Sequence, residues 1–546
     1  MKELSRRNFL KGAGLSAAAL AAAGSVGALT GCSPQSAANS TSTGGDTDTS
    51  QPSYMNRPAV GEPTETVQAD FIVCGAGGCG MAATLQADDL GLNVILLEKK
   101  PTAGGTFAFA GVCFAPNSSY AIQDGKAVDY NDLIKTIMVY NHYIPSYVLL
   151  KNYMDEIPAT IDWAMNIGAQ FSYMAGGGPF RGLSLSYAGD RGSNGTLGGA
   201  AFIKVLIDEA ERRNLDIRYS TAAQELVQDA SGKVTGVLAT DSSGKVIKFE
   251  APFVLLCTGG WGNNPDFLRD LGRVDPDRVF SPGYDGRDGD GVYMARKAGT
   301  AWARGDGTIM FYGPHLPGSD WGQNLMNGVY QPVLWVDQNG KRFMNEGAGN
   351  FAETGSAIRD IKRMIVIQSQ ADIDRFTANG GMPFDNGSGG SGALDNYKDL
   401  LQQQIDAGND RIFVADTIEA LATAAGLDET NFKATIDRYN EIVDAGADDD
   451  FQKDPRYLTP LEEGPFYAFE CNDGFFTTVG GVRINEDIQA VDDNGDVIEG
   501  LYVAGCDTGA LCGDVYDFTS APGEQSSWAL TSGRLVAKHV ADALGK

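Results

Sequence analysis

Residues 69–100 read ADFIVCGAGGCGMAATLQADDLGLNVILLEKK, and the order of elements in this stretch decides the fold. DFIVC is short and almost wholly apolar, as a strand covered on both faces must be. GAGGCG then places glycines at 75, 77 and 80, and MAATLQADDLG predicts a helix that stops near Gly91. NVILLEK predicts a second buried strand ending at Glu98. In such a unit Gly75 permits the tight turn, Gly77 lets main chain approach a pyrophosphate, and Gly80 lets helix and strand pack, with Ala76, Gly78 and Cys79 completing the loop. The diphosphate then lies at the helix N-terminus, where free N–H groups and the helix dipole favour negative charge. Glu98 can accept both hydroxyl hydrogens of an adenosine ribose, and its charge would repel the extra phosphate of NADP. A lone glycine motif is weak, but strand, loop, helix, strand and terminal acid in order within about 30 residues specify a dinucleotide-binding unit. The fold class that follows is α/β with a Rossmann-like domain.

At 546 residues the chain exceeds one compact core and suits two domains, with 43% apolar residues available to fill them. Forty-two basic against seventy acidic residues leave a net charge of −28, which excludes nucleic acid as a partner and offers no patch for an anionic membrane. The eight cysteines, at 32, 74, 79, 113, 257, 471, 506 and 512, form no Cys-x-x-Cys pair, and the three histidines cannot supply a His-rich cluster. No metal site and no covalent haem are therefore expected. Cys74 and Cys79 read as small packing residues of the glycine loop.

The N-terminus, SRRNFLKGAGLSAAALAAAGSVGALTGCS, sets Arg6-Arg7 before an apolar run too short and too weakly hydrophobic for a comfortable membrane span. It predicts twin-arginine export, a route that carries proteins already folded around their cofactor. LTGC resembles a bacterial lipobox with Cys32 as the lipidated residue, which would leave the mature protein tethered to the outer face of the cell membrane. Residues 1–32 are thus assigned to the signal and 33–66 to a flexible linker poor in apolar residues.

Beyond Glu98, KKPTAGGTFAFAGVCFAP carries Gly104-Gly105-Thr106. This resembles the segment after the ribose acid in flavoproteins of the fumarate reductase and flavocytochrome c family. FVLLCTGGWGNNPDFL (253–268) resembles that family's strand and Thr258-Gly259-Gly260 turn, and GKRFMNE (340–346) its cap signature. RYNEIVDAGADDDFQKDPRYLTPLEEGPFYAFE (438–470) and TTVGGVRINEDIQAVDDNGDVIEGLYVAGCDTGA (477–510) match as well. The resemblance covers roughly Ala69 to Lys546 and implies that the nucleotide is non-covalent FAD. It adds Lys99, Gly111, Asp290, Gly480, Gly481, Gly505, Asp507 and Ser526 to the glycine-loop residues as cofactor contacts. It also implies an FAD domain over 67–268 and 468–546, interrupted by an α+β capping domain over 269–467, with substrate between the two.

A fumarate reductase needs cations to clamp two carboxylates and an arginine to deliver a proton. Counted from the motifs, the proton-donating arginine falls at Asn350, the relay Glu and Arg near Met326 and Val329, the substrate histidine at Thr477 and the arginine clamp at Tyr516. None of these is cationic, so the resemblance implies a cleft without positive charge, in which fumarate or urocanate would be left uncompensated. In its place stand aromatics: Phe475, Phe476, Tyr516 and Phe518, with Phe311 and Tyr312 of TIMFYGPH. They suit a larger apolar or aromatic acceptor, each large side chain contributing about 1.5–3 kcal/mol on burial. Tyr516, followed by Pro522-Gly523, resembles the ketone-binding tyrosine of 3-ketosteroid dehydrogenases, though at longer spacing. Tyr330, Tyr312, Tyr516 and Arg304 are the candidate proton donors.

The expected protein is an exported, surface-tethered FAD reductase passing hydride from flavin to the activated C=C bond of an enone or aromatic acrylate in anaerobic electron transfer. It resembles exported reductases of the cardiac glycoside type. With no haem segment in the chain, the resemblance implies a membrane-bound cytochrome or quinol-linked electron donor. A ketosteroid-type flavin dehydrogenase, a fumarate or urocanate reductase, and a non-catalytic FAD- and ligand-binding lipoprotein are the alternatives.

Overall fold

The structure is a computed structural model that describes residues 52–173, 183–187, 198–272, 274–281, 285–303, 309–319, 324–347, 354, 355, 357, 358, 361–382, 392–509, 511–513, 516, 517 and 520–546, without the side chains of 173, 280 and 309–313. The opening stretch forms Phe71–Cys74 (β1), helix Gly78–Asp89 (α1) and Val94–Leu97 (β2). With Asp216–Arg218 (β3), Phe253–Leu256 (β4), Gln489–Val491 (β7) and Val497–Val503 (β8) the strands build a six-stranded sheet in the order β7-β8-β4-β1-β2-β3. Only the β7–β8 pair is antiparallel; the four pairs from β8 to β3 are parallel. Parallel strands are covered on both faces, and every residue of β1 and β2 is buried. Helix α1 is buried from Gly78 to Ala87 because it lies beneath the C-terminal helix Glu524–Ala543 (α3). At their crossing a Cβ on Gly533 would stand 2.3 Å from the Cys79 carbonyl oxygen, so only glycine lets the two helices approach this far.

A second sheet belongs to the middle of the chain. Its centre is Phe466–Thr478 (β6), 13 residues long, which pairs antiparallel with Met364–Ser369 (β5), Ile412–Ala415 and Ile309–His315. The first half of β6 pairs with Met364–Ser369 and Ile412–Ala415, and its last residues, Gly474–Thr478, pair with Ile309–Gly313 and reach the core shared with the dinucleotide sheet through Phe475. The boundary expected at 467/468 therefore lies inside one strand, and that at 268/269 inside the helix Pro265–Asp270. Helix Asp290–Lys297 (α2), although within the range assigned to the cap, buries Val292, Tyr293, Met294 and Ala295 in the core shared with β1, β2, β4 and β8.

The linker expected up to residue 66 is docked from residue 52 onward. Tyr54 is buried with its ring 4.4 Å from that of Phe267, Arg57 pairs with Asp290, and Glu65–Gln68 is a strand parallel to Val246–Glu250. One aromatic and one arginine anchor a stretch whose average composition reads as solvated. The signal, Cys32 and residues 33–51 lie outside the described residues.

The GKRFMNE segment proves to be an ion network in the cap. Arg342 donates to Glu346 from Nε (2.9 Å) and Nη2 (2.8 Å), and from Nη2 to Asp448 (2.7 Å). Lys453 lies 3.2 Å from Glu346 and donates to the Val333 carbonyl and the Tyr439 hydroxyl, each at 3.0 Å. Side chains of Glu346, Asp448 and Lys453 are 0% exposed, and two cations set against two carboxylates are what makes such burial tolerable. Burial pushes the Asp448 carboxyl up, but the Arg342 hydrogen bond and main-chain N–H groups of Phe451 and Lys453 outweigh it and hold it at about 2. Because the folded value lies below the ordinary 3.8, this stabilisation is complete above pH 3.8 and is lost as pH falls through about 2. It amounts to about 2 kcal/mol. Thermal melts between pH 5 and pH 2 should show that fall in the wild type and a flatter profile in Asp448→Asn.

Candidate active site

The glycines of the opening loop divide by what a side chain would meet. Gly75 has φ +110° and its Cβ would stand 2.5 Å from the Cys257 carbonyl oxygen; one on Gly80 would stand 1.8 Å from the Gly75 oxygen. These two close the turn against β4 and α1. Gly77, the residue capping α1, would meet nothing nearer than the Gly104 oxygen at 3.8 Å, and Gly105 nothing nearer than Gly77 at 3.9 Å. Both face a long cavity, with Gly75, Gly78 and Cys79. The first-turn N–H groups of α1 thus meet open space, the arrangement that binds phosphate.

Glu98 lines the same cavity. Its carboxylate accepts from the Ala76 N–H (2.7 Å) and the Lys100 N–H (2.8 Å), which fix its orientation while each oxygen retains a lone pair for a ribose hydroxyl. Ala76, Gly80 and Gly104 lie behind the lining, Gly104 N–H bonding the Ala76 carbonyl at 2.9 Å. Lys99 lines the cavity but pairs with Asp288 (2.7 Å) and Asp290 (2.6 Å). Asp290, at the start of α2, and Gly111, Thr258, Gly259, Gly505 and Ser526 also line it. Thr106 does too, and its buried hydroxyl has no hydrogen-bond partner among the described residues.

Four expected cofactor contacts instead hold the wall from behind. Asp507, 0% exposed, accepts from the N–H groups of Thr258 (2.6 Å) and Gly260 (2.7 Å) and from the Thr258 hydroxyl (3.0 Å); its neighbour Cys506 faces the cavity. A Cβ on Gly260 would stand 2.1 Å from Thr478 Oγ1, and one on Gly481 2.2 Å from the Asp507 carbonyl oxygen. The Gly480 carbonyl accepts the Trp261 indole N–H at 3.1 Å. Close packing of the C-terminal segment on the Thr258 turn accounts for these positions.

Phe476, Thr477 and Tyr516 line the same cavity. Phe475 does not: it packs in the core with Trp261 and Phe267. Tyr330 is likewise in the cap core, its ring stacked on Trp335 at 5.9 Å, so it does not serve as a proton donor at this cavity. Arg304, Asn350 and Phe518 lie outside the described residues, as do the side chains of Phe311 and Tyr312.

The cleft is not free of cations. Arg287, 2% exposed, lines it and was missed because the counted family positions all lie elsewhere. Its Nε donates to Asn263 Oδ1 at 2.9 Å, Nη1 to the Phe476 carbonyl and Nη2 to Ser281. The only local signal is the glycine-rich run GRDGDG at 286–291; nothing in spacing joins Arg287 to Phe476.

These residues fit FAD, with open glycines and a helix N-terminus for diphosphate, an oriented carboxylate for ribose, and the unpartnered Thr106 hydroxyl between them. The FAD binding domain family matches residues 70–521. The vinyl phenol reductase of Lactiplantibacillus plantarum is 32% identical over 487 residues, covering 86% of this chain and 96% of that protein. The cytochrome-type fumarate reductase of Shewanella frigidimarina is 28% identical over 488 residues, covering 86% and 77%. In fold, the 3-ketosteroid delta1-dehydrogenase from Sterolibacterium denitrificans superposes with a TM-score of 0.71 at 19% identity, over 87% of this chain and all of that one.

Two substitutions separate the glycine roles. Gly77→Ala should leave the apoprotein melting temperature unchanged and weaken FAD binding at least about tenfold, equal to about 1.4 kcal/mol. Gly80→Ala should lower the melting temperature itself, and flavin content at purification with calorimetry of the apoprotein checks both. Family match, fold and cavity agree: the chain belongs to the FAD binding domain family and is an FAD-dependent oxidoreductase.

Proposed function

We propose that this protein is an exported, lipid-tethered reductase that delivers hydride to the activated C=C bond of an enone or aromatic acrylate, as an electron sink for anaerobic respiration. One observation carries this: a single cavity is lined by the Gly77–Glu98 cradle and by Phe476, Thr477 and Tyr516 together, so a conjugated aromatic acceptor can lie beside a bound dinucleotide. The vinyl phenol reductase relative is named for an aryl-conjugated alkene, which supports that acceptor class. Arg6-Arg7 and Cys32 support twin-arginine export and a lipid anchor, and a membrane-bound cytochrome or quinol-linked protein is the electron donor that such a location implies.

Bound FAD, once reduced, supplies the hydride. The chain supplies the proton chemistry. The Tyr516 oxygen accepts the N–H groups of Gly523 (3.1 Å) and Gln525 (3.5 Å) at the start of α3. Burial, and after it the charge of Glu524, hold the phenol well above its ordinary pKa. It therefore meets the acceptor as a proton carrier, donating to the carbonyl or carboxyl oxygen as electrons arrive. The two N–H groups and the α3 dipole stabilise the charge left on its oxygen.

The protein, reduced with a viologen dye and mixed with a panel of acceptors, should be reoxidised rapidly by cinnamates or enones and slowly by fumarate. Rapid reoxidation by fumarate, or none by any conjugated alkene, refutes the proposal. Tyr516→Phe should slow the step about 100-fold with flavin content retained.

A further inference from the structure

Behind Tyr516 lies a buried acid that the transfer of the phenol proton leaves unused. Glu524, the first residue of α3, is wholly buried, and neither of its carboxyl oxygens has a hydrogen-bond partner among the described residues. The main-chain N–H groups on either side of it, of Gly523 and Gln525, go to the Tyr516 oxygen. The donors that would stabilise a carboxylate at this helix end are thus spent on the phenol. The groups whose charge couples to Glu524 are acidic or neutral: Asp517, Cys512 and Tyr516 of the C-terminal segment, and Tyr153 of the helix Tyr147–Asn166. The Tyr153 hydroxyl donates to the Glu524 main-chain carbonyl at 3.3 Å. Asp517 accepts the Ser520 N–H at 2.6 Å, and two buried carboxyls in such unequal surroundings hold a proton unequally. Burial, and after it the charge of Asp517, push the Glu524 carboxyl well above the usual range, so it keeps its proton where an ordinary glutamate has lost it.

Glu524 also heads a polar seam. At helical spacing Glu524, Ser527, Thr531, Arg534 and Lys538 share one face of α3. Ser527 and Thr531 are buried, and the Thr531 hydroxyl has no partner among the described residues. Arg534 donates to Thr160 Oγ1 (2.7 Å) and Glu156 (3.1 Å) of the helix Tyr147–Asn166, and Lys538 to Glu156 at 2.5 Å. The Lys538 side chain is 36% exposed, so the seam leads from the buried acid to solvent over about 21 Å of helix.

We propose, on the reading of Tyr516 as the proton carrier, that Glu524 is the proton store behind it and that the seam on α3 refills the store from solvent. When the phenol O–H bond breaks and its proton passes to the acceptor oxygen, the Glu524 O–H bond breaks in turn and its proton restores the phenol, directly or through one water. The carboxylate left behind takes a proton from water admitted along the Ser527 and Thr531 hydroxyls. Only protons move in this relay, since the electron pair of each turnover goes with the hydride. Glu524 does not line the cavity and acts only through Tyr516.

The test compares wild-type holoprotein with Glu524→Gln, which keeps the shape of the protonated side chain. At neutral pH the infrared difference between the two should contain the C=O band of a protonated carboxyl, present in the wild type and lost in the variant. A single turnover of the reduced protein, with the fastest acceptor of the reoxidation panel, draws on the proton already on Tyr516. Glu524→Gln should therefore keep the single-turnover rate within about twofold while steady-state turnover falls at least about tenfold. Thr531→Val should keep the infrared band and lose part of the steady-state rate, and full turnover in that variant overturns the seam as the route. Absence of the band from the wild type overturns the store. Equal slowing of single and steady-state turnover in Glu524→Gln overturns it too, because that is the result of Tyr516 being displaced. The infrared measurement needs no acceptor, so an ionised Glu524 sinks this proposal whatever the panel shows. A protonated Glu524 in a protein that no acceptor reoxidises is instead the failure of the reading of the site, and takes the store with it.

Discussion

Asp507 ties together two parts of the chain 249 positions apart. It accepts the N–H groups of Thr258 and Gly260, and without that carboxylate those donors would face a buried wall unsatisfied, at a cost of about 1–3 kcal/mol each. Burial raises the Asp507 pKa, and the hydrogen bonds from the Thr258 turn oppose that shift. The returning C-terminal segment is thereby held against the end of β4, and everything that faces the cavity from residues 505–529 depends on it. The same turn reaches helix α2, since the Thr258 hydroxyl accepts the Gly291 N–H at 2.9 Å. Asp290, Arg287 and the N-terminal Arg57 are placed through that helix.

Strand β6 plays the corresponding part for the cap. Its Phe466–Cys471 half is a component of the cap sheet, and its Gly474–Thr478 half ends at the cavity with Phe476 and Thr477. The buried Arg342–Glu346–Asp448–Lys453 network bonds to the chain of that sheet, the Trp335 N–H donating to Glu346 at 3.2 Å. Its members are charged groups whose removal singly would leave an uncompensated charge.

The site combines a cofactor cradle that uses main chain with an acceptor end that uses side chains. Diphosphate recognition needs glycines and helix N–H groups, so it tolerates little variation at 75, 77 and 80. The rest of the lining includes side chains: Phe476, Thr477, the buried Tyr516 phenol and the buried Arg287 guanidinium.

Period and punctuation in residues 69–100 determined the strand–helix–strand unit and that it binds a dinucleotide, since a parallel strand must be apolar throughout and a phosphate turn must be glycine, while the choice of FAD came from the family resemblance of later segments. The resemblance to the family, not period or spacing, implied that Tyr516, Phe476 and Thr477 belong to the site, and all three line the cavity. Only the tertiary structure decided that Phe475 is core while Phe476 is wall, because strand phase depends on which face finds a partner. It also decided that Asp507, Gly260, Gly480 and Gly481 serve packing, and that Tyr330 belongs to the cap interior. Arg287 was legible least of all. Its contact with Phe476 spans 189 positions, and a contact closed between segments so far apart in the chain leaves no trace in the local pattern of either.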